Sequence, residues 1–187
     1  RGKVQACEVE KILNFARAKG IDLLDTAPAY GDCERVLGSC DVKDFRVMTK
    51  TRHFSGDVIG SRELSILKSD FSCSLGELKL ESVYGLLVHN SVDLLKPGSK
   101  ALFDWLYYLK RTGKICKIGV SIYDYTHLDV ILQNFDIDLV QLPVNILDQR
   151  LVSSGMLEKL QNKGVEVHAR SVFLQGLLLM NKQSRPD

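Results

Sequence analysis

Two hydrophobic periods alternate along the chain. Short apolar runs appear at Ile21-Asp22-Leu23-Leu24-Asp25, Phe45 to Lys50, Val83 to His89, Ile115 to Ser121, Leu139 to Leu142 and Val165 to Ala169. Runs of this length bounded by glycine, proline or charge suit strands with both faces covered. Between them apolar residues recur at helical spacing. Val9, Ile12, Leu13 and Ala16 predict a helix from about Ala6 to Lys19. A short helix is expected over Cys33 to Gly38. Leu64, Leu67, Phe71, Leu75 and Leu78 mark a longer one, with Asp57 as its expected cap. Leu102, Trp105, Leu106 and Leu109 mark the next, and Trp105 reads as core packing. Leu128, Ile131, Leu132 and Phe135 follow a cap expected at Thr126, and Leu157 and Leu160 mark a last helix.

The joints repeat as well. Lys19-Gly20, Thr112-Gly113 after Lys110-Arg111, and Lys163-Gly164 each close a helix just before a strand. A cation in the last turn and a glycine just past it are helix-ending signals. Helix, basic turn, glycine and strand form the rhythm of βα repeats, so the fold class is α/β with a parallel sheet. No second domain, linker or low-complexity segment interrupts it, and residues 1–187 read as one domain.

The strand ends carry the chemistry. Asp25, Lys50 and His89 each close an apolar strand, and Tyr30 follows Asp25 by five residues. In βα-repeat folds the carboxyl end of the sheet is where active sites are built. An ammonium beside a phenol favours the phenolate and makes the phenol a better acid. A carboxylate beside that ammonium holds it charged and oriented. Taken alone, Asp25 and Tyr30 read better as a polar strand end and a loop tyrosine; the later strands turn the reading toward a cluster.

At these residues the chain resembles the aldo-keto reductases. Asp25-Thr26-Ala27-Pro28-Ala29-Tyr30-Gly31, a strand ending in Thr49-Lys50 and one ending in Leu87-Val88-His89 match that family's Asp, Tyr, Lys, His tetrad in order and spacing. The likeness continues through Gly119-Val120-Ser121 and Gln141 to Gln175-Gly176. It implies a (β/α)8 TIM-type barrel and NADPH-dependent reduction of an aldehyde or ketone. Tyr30 would be the acid, Lys50 and Asp25 its tuning pair, and His89 the orienting group. The resemblance assigns Ser121 and Gln141 to the nicotinamide carboxamide, and Ser171, Phe173, Gln175 and Gly176 to the pyrophosphate. Gln141 reads equally as a satisfied core amide, and Phe173 as packing. Two positions depart from the pattern: Ile122 stands where the family often has Asn, and Arg170 where it often stacks an aromatic ring. A guanidinium plane also stacks on rings.

The strand tally is six from Ile21 onward, fewer than a (β/α)8 barrel needs. The expected form is therefore an incomplete barrel of about six parallel strands, without the family's first and last, its edges either open or covered by another copy of the chain or by terminal segments. The start, without methionine and almost directly in a helix, reads as a cut, and the chain as given is expected to bind cofactor weakly. The family's 2′-phosphate contacts fall beyond Asp187, so NADH stays open beside NADPH.

Composition narrows the partners. The 187 residues are 45% hydrophobic and 26% charged with a net charge of +2, and both signs are scattered. This disfavours nucleic acid and membrane surfaces as partners. The polar opening Arg1-Gly2-Lys3 lacks a signal pattern. The cysteines at 7, 33, 40, 73 and 116 contain no C-x-x-C pair, which suits free thiols in a cytoplasmic protein. No histidine has metal-ligand spacing to them. Arg52, His53, Asn145, Asp148 and Arg150 lie in loops at the carboxyl end of the sheet, a polar lining suited to a sugar-like or otherwise hydroxylated substrate, although exposed loop charges are usually just solvated. Two other functions fit the same residues: a Schiff-base aldolase using Lys50, and a nucleotide-binding regulatory subunit that turns over little.

Overall fold

Helices hand over to strands through one recurring turn in the computed structural model, which describes residues 4–185; Arg1-Gly2-Lys3 lies outside them. Helix α1 (Ala6–Ala18) ends with the Gly20 N–H donating to the Arg17 carbonyl and the Ile21 N–H to that of Ala16, both at 3.0 Å. Gly20 sits at φ +71°, in the left-handed region that glycine enters without a Cβ clash. This is a Schellman closure, and the same bond pair recurs at Gly113 and Gly164. The basic-glycine punctuation of the sequence therefore has a geometric cause. It also shortens the first strand: with its N–H committed to the helix end, Ile21 stays outside the ladder and is 53% exposed. Strand β1 is Leu23–Asp25.

Helix α2 (Cys33–Ser39) leads to β2 (Arg46–Lys50), α3 (Ser61–Leu78) to β3 (Val83–Val88), and α4 (Ser99–Arg111) to β4 (Ile115–Ser121). Then come α5 (Leu128–Asn134), β5 (Leu139–Pro143), α6 (Arg150–Ser153), α7 (Met156–Asn162) and β6 (Glu166–Arg170). Two expected caps are corrected. The Gly60 N–H donates to Glu63 at 3.0 Å to open α3, so Asp57 takes no part. Asp124, not Thr126, accepts the first free N–H, and a 3-10 turn (Tyr125–His127) precedes α5. In both cases the capping side chain lies at the position from which it reaches a free donor.

The six strands are all parallel in the order β1-β2-β3-β4-β5-β6. Among the described residues β1 pairs with β2 alone and β6 with β5 alone, so the sheet is a curled half-barrel with two open edges. Alternation sorts the side chains. Val47, Leu86, Val88, Ile118, Val120, Val140 and Leu142 face out, joining Leu67, Phe71, Leu106 and Ile131 of the helices in the main core. Trp105 belongs to this core and meets Phe71 edge-on at 6.1 Å. Met48, Leu87 and Leu139 face in, with Leu23 and Tyr84 against them. Next to this inner apolar layer Glu166 gathers Tyr84, Lys117 and His168. No helix among the described residues is long and apolar enough to cross a membrane.

Candidate active site

The inward positions at the carboxyl ends of the strands carry the tetrad. Asp25 pairs in register with Met48, and Met48 with Gly85. Lys50 and Leu87 are register partners one interior step further along their strands than Met48 and Gly85, and so one step beyond the level of Asp25. The side chain of Lys50 has no exposed surface. Its ammonium donates to Asp25 Oδ1 at 2.6 Å and to the Thr26 carbonyl at 3.0 Å. A buried ammonium without such partners would be strongly disfavoured.

Tyr30 returns to this lysine through a turn. Its N–H donates to the Ala27 carbonyl at 2.9 Å, and Gly31 follows at φ +69°. Tyr30 is 47% exposed. Lys50 Nζ lies 4.9 Å from the ring centroid, over the face, where the quadrupole attracts a cation. The His89 ring meets Tyr30 edge-on, with centroids 6.0 Å apart and planes at 86°. Asp25, Tyr30, Lys50 and His89 thus occupy one end of the sheet. Burial, and then the Lys50 ammonium, hold His89 below the ordinary histidine range, against the opposing pull of Asp25. His89 is therefore neutral at pH 7 and keeps one N–H to donate.

Ser121 and Gln141 are register partners on β4 and β5, 3% and 5% exposed. They stand side by side on the inner face. Ile122 is 1% exposed in the outer core, so its side chain faces away from this end. Arg170 closes β6 and lies over Tyr123, its guanidinium carbon 3.8 Å from the ring centroid. It donates to the Ile122 carbonyl at 3.1 Å, and its Nε is buried without a partner among the described residues. Ser171, Phe173, Gln175 and Gly176 follow beyond β6, the first three exposed and Gly176 partly so. Phe173 is 54% exposed, which removes the packing reading of that ring. Ser171, Leu174 and Gln175 hold φ of 58°, 48° and 55°, unusual for residues with a Cβ.

Several contributors escaped the sequence reading. Thr26 offers the second acceptor to Lys50, and its hydroxyl is buried without a partner among the described residues. Its place inside Asp-Thr-Ala was the available signal. Thr51 accepts the His89 backbone N–H at 3.2 Å, and Tyr123 is the shelf for Arg170. Of the loop residues, Arg52 is drawn onto Asp70 of α3, Arg150 pairs with Asp148 at 2.8 Å, and Asn145 caps the Leu147 and Asp148 N–H groups. A hollow of about 550 Å³ lined by Lys43, Arg46, Lys79 and Tyr84 lies at the opposite, amino end of the sheet and contains none of the tetrad.

Solved structures share this architecture. An aldo-keto reductase from Bacillus halodurans in its holo form superposes with a TM-score of 0.80 at 22% identity, over 99% of this chain and 63% of that one. A glycerol dehydrogenase from Gluconobacter oxydans gives 0.74 at 22% identity, over 100% and 61%. An aldose reductase from Giardia lamblia gives 0.69 at 16%, over 91% and 63%. The chain thus spans somewhat under two thirds of each of these proteins. No curated protein sequence matches it. A family-wide sequence pattern nevertheless runs from residue 1 to residue 187, and on that match, with the half-barrel the superpositions share, the chain belongs to the aldo/keto reductase family.

Proposed function

We propose that the protein is a nicotinamide-dependent carbonyl reductase, with Tyr30 as general acid, Lys50 and Asp25 as its electrostatic support, and His89 as the group that orients the substrate oxygen. Family membership supports oxidoreductase chemistry. The observation that carries the residue roles is the enclosed Lys50 ammonium, clamped by Asp25 and Thr26 and lying under the Tyr30 ring. In the reduction, neutral His89 donates its N–H to the carbonyl oxygen. As negative charge grows on that oxygen, Tyr30 transfers its hydroxyl proton to it. The ammonium beside the ring stabilises the resulting phenolate, and Asp25 keeps the ammonium in place.

The residues present fit a nicotinamide dinucleotide. Ser121 and Gln141 offer adjacent polar groups on the inner face, and Arg170 has an orphaned buried donor. Three residues with a Cβ in the left-handed region after β6 cost about 1 kcal/mol each, and such strain clusters in ligand-gripping segments. Ser121 and Gln141 would hold the carboxamide, Arg170 would flank the ring, and Ser171, Phe173, Gln175 and Gly176 would line the pyrophosphate. When bound, the cofactor, NADPH or NADH, supplies the hydride. The substrate is a small aldehyde or ketone; the glycerol dehydrogenase and aldose reductase among the structural neighbours favour a hydroxylated one.

An aldolase reading is weaker. A Schiff base needs a neutral, accessible amine, whereas Lys50 is enclosed and ion-paired. The test is NADPH oxidation against a panel of aldehydes and ketones. Tyr30→Phe and Lys50→Met are each expected to lower turnover by about 10²–10⁴-fold with the circular dichroism of the native fold retained. Near-normal turnover in Tyr30→Phe removes that residue as the acid.

A further inference from the structure

One loop residue beside the tetrad is fixed by contacts that the reduction of a bare carbonyl does not use. His53, three residues beyond Lys50, is half-exposed, yet its ring is tied down on one edge. Its Nδ1 lies 3.0 Å from Asn90 Nδ2 and 3.4 Å from Asp93 Oδ2. Asp93 is buried, and its other oxygen binds Lys96 Nζ at 2.6 Å. Lys96 also donates to the Phe54 carbonyl, and the Phe54 N–H reaches Asp93. Thr51 binds the backbone of His89. The loop after β2 is thus fastened to the loop after β3, and His53 sits against the residue that follows His89. Three other polar loop residues at this end are spent on internal bonds: Arg52 on Asp70, Arg150 on Asp148, and Asn145 on the N–H groups of its own turn.

The network also fixes which ring nitrogen carries the proton. Asn90 Oδ1 accepts the Val92 N–H at 3.1 Å, so the amide oxygen faces that way and the NH₂ faces His53. The Asn90 contact is the shorter of the two at Nδ1, and Lys96 already satisfies the Asp93 charge. Nδ1 therefore accepts from Asn90, and the proton resides on Nε2, on the side of the ring away from the tether.

We propose that His53 is a substrate-contacting residue whose Nε2–H, aimed by Asn90, donates to a hydroxyl oxygen on the carbon next to the carbonyl, so that the site prefers α-hydroxy aldehydes and ketones over their deoxy counterparts. This rests on the carbonyl-reductase reading above. Asn90 is the positioning residue in it. An exposed histidine held only by solvent would give no such preference, because it would have to be ordered at the moment of binding.

The test compares 2-hydroxypropanal with propanal, which differ by one hydroxyl, in the intact protein with NADPH. Wild type is expected to have the higher kcat/KM for 2-hydroxypropanal. In His53→Phe, which keeps a ring and removes the donor, the ratio of the two kcat/KM values is expected to fall about tenfold, the size of one hydrogen bond at the upper end of the usual range. The change is expected in KM more than in kcat. His53→Gln retains an N–H donor and is expected to restore part of the ratio. A His53→Phe ratio equal to wild type, including equal losses on both substrates, overturns the proposal and leaves the reductase reading standing. Reduction of neither aldehyde nor any other carbonyl by wild type overturns both.

Discussion

Replacing Glu166 with glutamine should destabilise the fold at neutral pH and have almost no effect in strong acid. Glu166 receives hydrogen bonds from the Tyr84 hydroxyl at 2.6 Å and from His168 Nε2 at 2.5 Å, and pairs with Lys117 at 2.6 Å. Burial is the largest single influence on its carboxyl and pushes upward. The bonds from Lys117, Tyr84 and His168 together outweigh it and bring the group down from 4.5 to about 2. That gap, at about 1.4 kcal/mol per pH unit, corresponds to about 3 kcal/mol. Solvent reaches 28% of the side chain, so screening reduces the figure to about 1–2 kcal/mol. The sign follows from the depressed value: the unfolded chain binds the proton more readily. The stabilisation is full above about pH 4.5 and is lost as the pH falls toward 2. Lys117 and Tyr84 agree in direction: the bond to Glu166 raises Lys117, while burial and then Glu166 raise Tyr84. Urea denaturation of wild type and Glu166→Gln at pH 7 and near pH 2.5 measures the effect. A difference of about 1–2 kcal/mol at pH 7 that shrinks toward zero in acid is expected. An equal difference at both pH values would show that the loss is one of packing and that the charge network contributes nothing.

Two further outcomes are expected. The His89 ring signal in NMR should titrate below pH 6.5, because burial and Lys50 disfavour its charged form; since the unfolded chain then binds that proton first, stability should drop as the pH falls below about 6.5, and a midpoint at or above 6.5 contradicts the neutral-donor role. At the end of α3, Lys79 makes the Schellman turn at φ 55° where three other helices use glycine; Lys79→Gly should raise the unfolding free energy by about 0.5–1 kcal/mol, and a lower melting temperature would refute the strain.

Much of the architecture was legible locally. Helix stripes, apolar strand runs and the glycines that close α1, α4 and α7 depend on residues within a turn or two of each other, and their spacing records which face is buried and which carbonyls need a donor. The order Asp25, Tyr30, Lys50, His89 was legible for a related reason. Each residue sits at the last inward step of a strand or just past it, so position in the repeat already places it at one end of the sheet. The caps were legible in kind but not in place. Ser, Thr and Asp are frequent near helix starts, and which one meets a free N–H depends on the backbone path into the helix; thus Glu63 and Asp124 act where Asp57 and Thr126 were expected.

Contacts across the sheet were decided by tertiary structure. Tyr84, Lys117, Glu166 and His168 come from β3, β4 and β6, and nothing in their sequence spacing predicts one cluster. The strand register brings them together, and register is fixed by the whole pattern of buried faces. Arg170 on Tyr123, and His53 between Asn90 and Asp93, likewise depend on which loops are adjacent once the sheet has curled. The sequence by itself determined the repeat, its buried faces and the level of the tetrad, because these follow from local periodicity and steric limits on the backbone. Only the folded sheet decided which polar side chains would meet one another, because hydrogen bonds between distant strands exist only after the register has been set.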